Sequence, residues 1–263
     1  MDERLKKLIR TLQSELPFLK NLKEEFRFHL DRSLRHPHEE DFKALALIPD
    51  ADGCYLDIGA NHGQSILAIA IFKPDARIVS FEANPLLAAK LTRRYEGNPK
   101  VTVIAKGLSD RPGSLPLYVP SYKGFLYDAL ASLDRDAAAS WISDRTVFRF
   151  DPASLSVAEV PCEVATLDDY ALAPVFIKVD VQGYEYNVLR GALQTLRRYE
   201  PVVLVEAFRS DPRTVALCDE LGYEEYDFDG LTLRKGPSNR SPNSFLITPG
   251  RFATLHSELA AWR

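Results

Sequence analysis

The chain has 263 residues, 46% of them hydrophobic and 27% charged, with a formal net charge of −4. These values are typical of a globular protein with a substantial core, and they give no reason to expect a nucleic acid partner. No apolar run is long enough for a membrane span, and the charged N-terminus lacks a signal-peptide core. Cys54, Cys162 and Cys218 are far apart in sequence, which predicts reduced, mostly buried thiols, a cytoplasmic location and no metal cluster.

Residues 1–48 differ in pattern from the rest of the chain. Their apolar residues recur at helical spacing in two runs separated by Pro17, namely Leu5, Leu8, Ile9, Leu12 and Leu16, then Phe18, Leu22, Phe26 and Leu30. We expect a helical hairpin that packs on the main domain. A cap over the active site or the arm of a homodimer is the functional alternative for this extension. The His36-Pro37-His38 segment has no neighbouring set of metal ligands, so it is interpreted as a loop.

Residues 49–263 alternate between strand and helix patterns, which predicts an α/β domain with a parallel sheet covered on both faces. The predicted strands are 54–58, 77–81, 101–105, 175–180, 202–206, 223–227 and 243–248, and the predicted helices are 64–72, 85–95, 184–197 and 212–221. A turn at Asp229-Gly230 predicts a terminal hairpin, so one strand at the end of the sheet runs antiparallel.

The segment Asp110–Thr166 breaks this alternation. It contains one predicted short strand, Leu115–Val119, and several aromatic residues: Tyr122, Phe125, Tyr127, Trp141, Phe148 and Phe150. Long insertions near the carboxyl ends of strands are where ligand sites of open α/β sheets collect. These aromatic side chains are interpreted as core, with the wall of a substrate pocket as the alternative.

The stretch Tyr55–Gly63 joins an apolar strand to the start of a helix through a glycine turn. Gly59 and Gly63 lack Cβ atoms, so the backbone can turn tightly and approach a ligand closely. Glu82 follows the next strand, at the distance where a ribose hydroxyl is bound. Asn61 stands where the dinucleotide fingerprint has its second glycine, so a phosphate-free nucleoside such as S-adenosylmethionine fits better than a dinucleotide. A tight turn without a ligand is the alternative.

Four segments, in order and at family-like spacing, resemble the FkbM-type methyltransferases, a branch of the class I S-adenosylmethionine-dependent enzymes. They are Leu56–Gln64, Phe81–Pro85, Gly107–Asp110, and Thr166–Tyr170 followed by Ile177–Glu185 and Val188–Ala192. The resemblance implies a Rossmann-like fold with a mostly parallel, seven-stranded sheet whose last strand is antiparallel. The chain departs from the family pattern at Gln182, where the family has glutamate, and at Ala83, where it often has proline.

The resemblance also implies a cofactor site. Gly59, Ala60 and Gly63 would line the methionine moiety of S-adenosylmethionine, Asp57 would orient it, and Asn61 would help to position it. Glu82 would accept hydrogen bonds from the ribose, with Ala83 and Asn84 beside the adenine. The remaining implied contacts are Leu108, Ser109 and Asp110 with the adenine ring, and Asp180 with the reacting methyl group.

Asp180 is the first candidate for a general base, because an apolar strand delivers it to the carboxyl edge of the sheet. The alternatives are that it caps the following helix or orients the substrate. Lys178, on the same face of that strand, would lower the pKa of Asp180 if the two side chains pair, or would contact a substrate oxygen. Glu206 is a second candidate for base or substrate binding.

Other polar residues near these motifs are given structural interpretations. Asp168 and Asp169 fit a capping box with Thr166, and Glu185 is favoured at a helix start by the helix dipole. His62, in the cofactor turn, is interpreted as solvent-exposed.

Three functions remain open from the sequence. The preferred one is an S-adenosylmethionine-dependent O-methyltransferase acting on a hydroxyl of a small molecule, a sugar or a secondary metabolite. The second is an NAD-dependent dehydrogenase or epimerase, against which Asn61 and the lack of a Tyr-x-x-x-Lys pair argue. The third is a cofactor-binding scaffold without catalysis, which the change to Gln182 keeps open.

Overall fold

The computed structural model describes residues 3–15, 20–49, 52–238 and 240–261, and within them the backbone forms two β-sheets with helices around them. The larger sheet contains β1 (Cys54–Ile58), β2 (Arg77–Phe81), β3 (Val101–Ile104), β8 (Pro174–Val179), β9 (Val202–Glu206), β10 (Glu224–Phe228), β11 (Leu233–Lys235) and β12 (Asn243–Ile247). These eight strands lie in the order β11-β10-β12-β9-β8-β1-β2-β3.

The predicted mostly parallel α/β sheet is confirmed, and the count of seven strands was too low. β1, β2, β3, β8 and β9 pair in parallel, while β12 pairs antiparallel with both β9 and β10. The eighth strand, β11, pairs antiparallel with β10 and forms the sheet edge. Leu233–Lys235 is too short to give a strand pattern, so the sequence placed it in a connection. The antiparallel β12 therefore lies inside the sheet and not at its end.

All four helices predicted in the main domain are found, one of them divided in two, and the helix that follows the last strand was not predicted. These helices are α3 (Gln64–Phe72), α4 (Pro85–Arg94), α6 (Glu185–Arg190), α7 (Leu193–Tyr199), α8 (Pro212–Glu220) and α9 (Pro249–Ala261). The predicted helix 184–197 is divided into α6 and α7 at Gly191. A Cβ on Gly191 would lie 1.9 Å from the carbonyl oxygen of Ser109, so the chain passes closely here and the helix is interrupted.

Alternating side chains of the strands divide the core into two layers, one on each face of the sheet. Tyr55, Phe176 and Leu204 pack on one face with α3 and with a 3₁₀ helix, Glu40–Leu47. The opposite face carries Leu56, Ile58, Ile177 and Val179 and is covered by α6, α7 and α8. The alternation also decides which polar residues share a face where the strands end.

The insertion predicted between residues 110 and 166 builds most of a second sheet. Its strands are β4 (Gly107–Leu108), β5 (Gly113–Tyr122), β6 (Phe125–Leu126) and β7 (Leu155–Ala165), in the order β4-β7-β5-β6, and β5 pairs with β7 along its whole length. A short helix, α5 (Arg135–Ser140), follows β6. The aromatic residues Tyr122, Phe125 and Tyr127 are buried in a small core of this sheet with Ile142 and Val147, as the core interpretation predicts.

The N-terminal segment contains two helices, α1 (Glu3–Glu15) and α2 (Lys20–Leu34). Leu16, Pro17 and Phe18 lie outside the described residues. Thr11 of α1 accepts a hydrogen bond from the Phe148 N–H at 2.9 Å, so α1 contacts the insertion. Arg94 of α4 lies 4.1 Å from the ring centroid of Phe28 in α2. The division into domains at residues 48 and 49 stays a prediction.

The three cysteines are buried and unpaired, as predicted. Within the described ranges, none of the helices combines the length and the apolar character that crossing a membrane requires.

Candidate active site

A cleft that is open to solvent lies at the carboxyl ends of β1, β2 and β8. Gly59 and Asn61 follow β1, Glu82 and Ala83 follow β2, and Asp180 follows β8. The insertion closes another side of the cleft with Leu117, Asp128, Ala131, Ser132 and Leu133. The cleft therefore lies at the carboxyl edge of the sheet, which is where open α/β sheets bind their ligands.

The turn after β1 is shaped by contacts within the chain. Gly59 has φ +87°, and a Cβ there would lie 1.8 Å from the carbonyl oxygen of Asp180. Gly63 has φ +86°, and its Cβ would lie 2.8 Å from Leu91. Glycine is therefore required at both positions by contacts within the protein, before any ligand is considered. Gly59 and Asn61 line the cleft, whereas Ala60 is buried in the core and Gly63 begins α3 behind the turn.

Glu82 is held with its carboxylate at the cleft wall. One oxygen accepts the Asn61 N–H at 2.6 Å and the other accepts the Asn84 N–H at 2.8 Å. Burial raises the pKa of Glu82 to about 7, although the two N–H groups oppose this shift. A carboxylate has about four acceptor positions, so two remain for hydroxyl donors from the cleft.

Asp57 lies beneath the turn and is fully buried. Ser80 donates to its Oδ2 at 3.2 Å, while its Oδ1 has no hydrogen-bond partner within the described part of the chain. Asn61 Oδ1 is likewise buried and, among the residues described, without a donor. Burial raises the pKa of Asp57, and the Lys178 ammonium partly offsets this effect. Counting only donors from the described residues, Asp57 and Asn61 thus each present a buried acceptor oxygen without a partner.

Of the residues expected at the adenine, some line the cleft and others lie behind its wall. Ala83 and Leu108 line the cleft, together with Gly107 and the insertion residue Leu133. Asn84 caps α4 by accepting the Leu86 N–H at 3.1 Å. Ser109 is buried against Gly191, and its hydroxyl lies 3.2 Å from Asp110 Oδ1. Asn84, Ser109 and Asp110 therefore support the cleft wall from outside the lining.

Of the two alternatives considered for Lys178, the structure shows the pair with Asp180. Lys178 Nζ donates to Asp180 Oδ2 at 2.9 Å, and the lysine is 4% exposed. Burial opposes its charge, but the carboxylates of Asp180, Asp57 and Glu39 raise the pKa of Lys178. For Asp180, the Lys178 ammonium and hydrogen bonds outweigh burial and bring its pKa down to about 2. As the sequence indicated for a paired Asp180, it is weakened as a base.

Glu206 ends β9 on the same sheet face as Lys178, because both follow the alternation of the Phe176 and Leu204 face. Burial and the neighbouring negative charge of Asp180 raise the pKa of Glu206 to about 8. Gln182 Nε2 contacts both carboxylates, at 2.7 Å from Asp180 Oδ1 and 2.8 Å from Glu206 Oε2. Of the two candidate bases, Glu206 is the one that titrates near neutral pH.

Several residues that sequence reasoning missed complete this cluster. Asn243, on β12 opposite Glu206, donates to Glu39 Oε2 at 3.0 Å and to Asp41 Oδ2 at 2.9 Å. Burial raises the pKa of Glu39 and, with the Lys178 charge, lowers that of His38 to about 3. The N-terminal segment therefore reaches the catalytic candidates. The alternation of side chains along β12 predicts which sheet face Asn243 lies on. The sequence around Asn243 does not predict its partners, which lie about 200 residues away.

The structural interpretation of Asp168 and Asp169 agrees with their hydrogen bonds, whereas that of His62 does not. Asp168 accepts hydrogen bonds from the first turn of α7, and Asp169 forms the predicted capping box with Thr166. The expected exposure of His62 was wrong. Its side chain is 12% exposed and lies 3.4 Å from Asp128 Oδ1, because the insertion covers the turn.

Comparison with known proteins agrees with this architecture. The sequence matches the profile of the Methyltransferase FkbM domain over residues 57–229. It is 29% identical over 256 residues to the AMB antimetabolite synthetase AmbE of Pseudomonas aeruginosa, a match that covers 86% of this chain and 12% of that protein. The chain thus spans only about 12% of the length of this curated relative.

Two solved structures were also compared with the chain. A methyltransferase FkbM from Methylobacillus flagellatus KT has a TM-score of 0.45 at 16% identity, covering 74% of this chain and 43% of that one. An S-adenosylmethionine-dependent O-methyltransferase from Thermotoga maritima has a TM-score of 0.37 at 10% identity, covering 81% of this chain and 65% of that one. Since the family profile spans most of the chain, including the cleft and both candidate bases, this protein belongs to the FkbM methyltransferase family.

Proposed function

We propose that this protein is an S-adenosylmethionine-dependent O-methyltransferase that methylates a hydroxyl group of a small molecule. The observation that carries the proposal is the charge of the cleft. Its lining contains the carboxylates of Glu82, Asp128 and Asp180 and, within the described residues, no lysine or arginine. Such a lining suits a phosphate-free, positively charged cofactor and repels the pyrophosphate of a dinucleotide.

The residues present fit this cofactor. Glu82 would hold the ribose through its two remaining acceptor positions, and Ala83, Leu108 and Leu133 would provide apolar contact for the adenine. The unsatisfied oxygens of Asp57 and Asn61 would take donors directly or through water. When bound, the cofactor supplies an activated methyl group on a sulfonium. The chain's own part is to position the acceptor and take up its proton.

For that proton, Glu206 is the base that we prefer. Its pKa of about 8 matches the task of a base working near neutral pH, whereas Asp180 is held ionised by Lys178. The acceptor O–H bond would break with its electron pair remaining on oxygen, and the proton would pass to Glu206. The similarity to part of an antimetabolite synthetase supports an acceptor from natural-product biosynthesis, with a sugar as the other candidate class.

Isothermal titration with S-adenosylmethionine, S-adenosylhomocysteine and NADH tests the cofactor. We expect both adenosyl compounds to bind and NADH not to bind. Glu82→Ala should weaken S-adenosylhomocysteine binding by about 10- to 100-fold, because hydrogen bonds to a charged group are lost. Glu96→Ala, at an exposed position, should leave the affinity unchanged. Binding of NADH without binding of either adenosyl compound would favour the dehydrogenase alternative.

Catalysis is tested by transfer of a labelled methyl group to a panel of hydroxyl compounds. Cofactor binding without transfer to any member, with the panel covering sugars and phenolic and hydroxy-acid metabolites, would favour the scaffold alternative.

A further inference from the structure

Gln182 occupies a special place between the two catalytic candidates. Its side-chain amide has two N–H hydrogens, and its nitrogen lies 2.7 Å from Asp180 Oδ1 and 2.8 Å from Glu206 Oε2. The other oxygen of Asp180 accepts from Lys178 Nζ at 2.9 Å. One amide thus spans two carboxylates that belong to different strand ends, β8 and β9.

The backbone around Gln182 is held in an unfavourable conformation that aims this amide. Gln182 has φ +54°, in the left-handed region that non-glycine residues rarely adopt. Its carbonyl accepts the Ser132 hydroxyl at 2.6 Å, and Ser132 is 1% exposed. Glu185 Oε1 accepts the N–H groups of Val181 at 3.3 Å and Gly183 at 3.1 Å. The turn is therefore fixed from the insertion on one side and from α6 on the other.

From this geometry we infer that Gln182 is a positioning residue, which holds Asp180 and Glu206 together as a pair sharing one proton, with the proton resting on Glu206. Like charges in close contact cannot both ionise easily, so the pair releases its protons in two well-separated steps. Two N–H donors lessen the repulsion in the fully ionised pair, which is the form that accepts a proton. The inference rests on the proposed function only for the source of that proton.

Other charged groups face the pair from each element around it, and they bear on its titration. Lys178 is on β8 and Asp57 on β1, Glu185 begins α6, and Glu39 and His38 come from the N-terminal segment. Among these groups, Lys178 is paired with Asp180 in preference to Glu206. The asymmetry places the negative charge on Asp180 and the proton on Glu206, in agreement with their pKa values of about 2 and about 8.

The chemistry explains why glutamine suits this position. A glutamate here would add a third carboxylate, and even when protonated it would offer one O–H instead of two N–H donors. An alanine would leave both carboxylates without their common donor. Both substitutions disfavour the fully ionised pair, so both should raise the pH at which Glu206 loses its proton.

The experiment uses the full chain with carbon-13-labelled glutamate carboxyls, followed by NMR across a pH titration without any ligand. Glu206→Gln assigns the signal. We expect the pKa of Glu206 to rise by about one unit in Gln182→Ala and by more in Gln182→Glu. Gln194→Glu, the same change at an exposed position of α7, should leave the pKa of Glu206 unchanged. Thermal melts establish that each variant is folded. If Gln182→Ala is not folded, Gln182→Asn replaces it, because an asparagine side chain is too short to span both carboxylates.

The pH profile of kcat/KM provides the second measurement. Its acidic limb should move to higher pH by the same amount as the NMR pKa, which a loss of packing alone would not cause. An unchanged Glu206 pKa in folded Gln182→Ala or Gln182→Asn would overturn the inference even if methyl transfer is demonstrated. A shifted pKa in a protein that binds no adenosyl cofactor would support the proton-sharing pair and overturn the proposed function.

Discussion

Asp180 and Glu206 show how a neighbouring charge sets the pKa of a buried carboxylate. The sequence identified both residues and indicated that Lys178 would weaken Asp180 as a base if the two side chains paired. It did not predict that Glu206 would be drawn into the same cluster, because β8 and β9 are adjacent only once the sheet is formed. The pair then acquires one low and one high pKa, which assigns the negative charge to one residue and the proton to the other.

Gly59 provides a residue-scale prediction. Gly59→Ala places a Cβ 1.8 Å from the Asp180 carbonyl oxygen in a backbone with φ +87°, so the turn and the end of β8 must separate. We expect the free energy of unfolding to fall by about 3 kcal/mol or more and cofactor affinity to fall with it. Chemical denaturation and isothermal titration measure the two effects.

The matched control is Gly97→Ala. Gly97 also has a positive φ, +77°, but among the described residues no atom lies within 4 Å of the place that its Cβ would take. Gly97→Ala should lower the free energy of unfolding by about 1 kcal/mol, because only the positive φ disfavours a side chain there. Equal losses in the two variants would show that the close approach of Gly59 to β8 contributes nothing to stability.

At the scale of elements, the N-terminal segment belongs to the site more than its sequence suggested. Phe42, Leu45 and Ile48 are buried in the core layer on the sheet face that also carries Lys178 and Glu206. Asn243 joins this segment to β12 through Glu39 and Asp41. We propose that residues 38–48 act as a cap over one side of the cluster formed by Lys178, Asp180 and Glu206.

Asn243→Ala tests that connection. It removes a side-chain donor from both Glu39 and Asp41, although Ser241 still donates to Asp41. We expect a loss of about 2 kcal/mol in the free energy of unfolding. Hydrogen exchange should accelerate mainly in residues 38–48. Asn98→Ala, at an exposed turn far from this contact, should change neither quantity by a comparable amount. Uniformly faster exchange, with no emphasis on the segment, would count against the connection.

The second sheet is the element that the sequence predicted least well. The expected strand at Leu115–Val119 lies within the longer β5, but β7 was not predicted. The alternation of β7 is broken at Ala158 and Glu159, which are both exposed, and Pro161 lies near its centre, so it gives a weak strand pattern. Its pairing with β5 supplies the hydrogen bonds that stabilise it. Local propensity says little about a strand whose stability comes from a distant partner.

At the scale of the whole molecule, the buried carboxylates make stability depend on pH. The pKa of Glu206 is about 8 in the folded chain and starts from 4.5. A folded pKa above the unfolded one contributes stability that is complete below pH 4.5 and is lost as the pH rises through 8. The wild-type protein should therefore lose stability relative to Glu206→Gln between those values, by about 2–4 kcal/mol.

Denaturation curves of both proteins across this pH range measure the difference. His38 has the opposite effect, because its lowered folded pKa of about 3 removes stability as the pH falls from 6.5. Since His38 is present in both proteins, its contribution largely cancels in the comparison. Glu96→Gln, at an exposed position, should run parallel to the wild type. A wild-type curve parallel to Glu206→Gln would mean that Glu206 is not protonated in the folded chain.

The sequence by itself determined the alternating α/β order, the glycine turn after β1, the position of Glu82 at the end of β2 and the shared strand face of Lys178 and Asp180. These features depend on residues close in the chain, or on strand periodicity, which local physics specifies. Only the tertiary structure decided that the insertion forms a second sheet over the cleft, that Gly59 faces a backbone carbonyl, and that Glu39, Gln182 and Glu206 gather at Asp180. Those contacts join residues far apart in sequence, and their energies arise from burial and charge that no single segment contains.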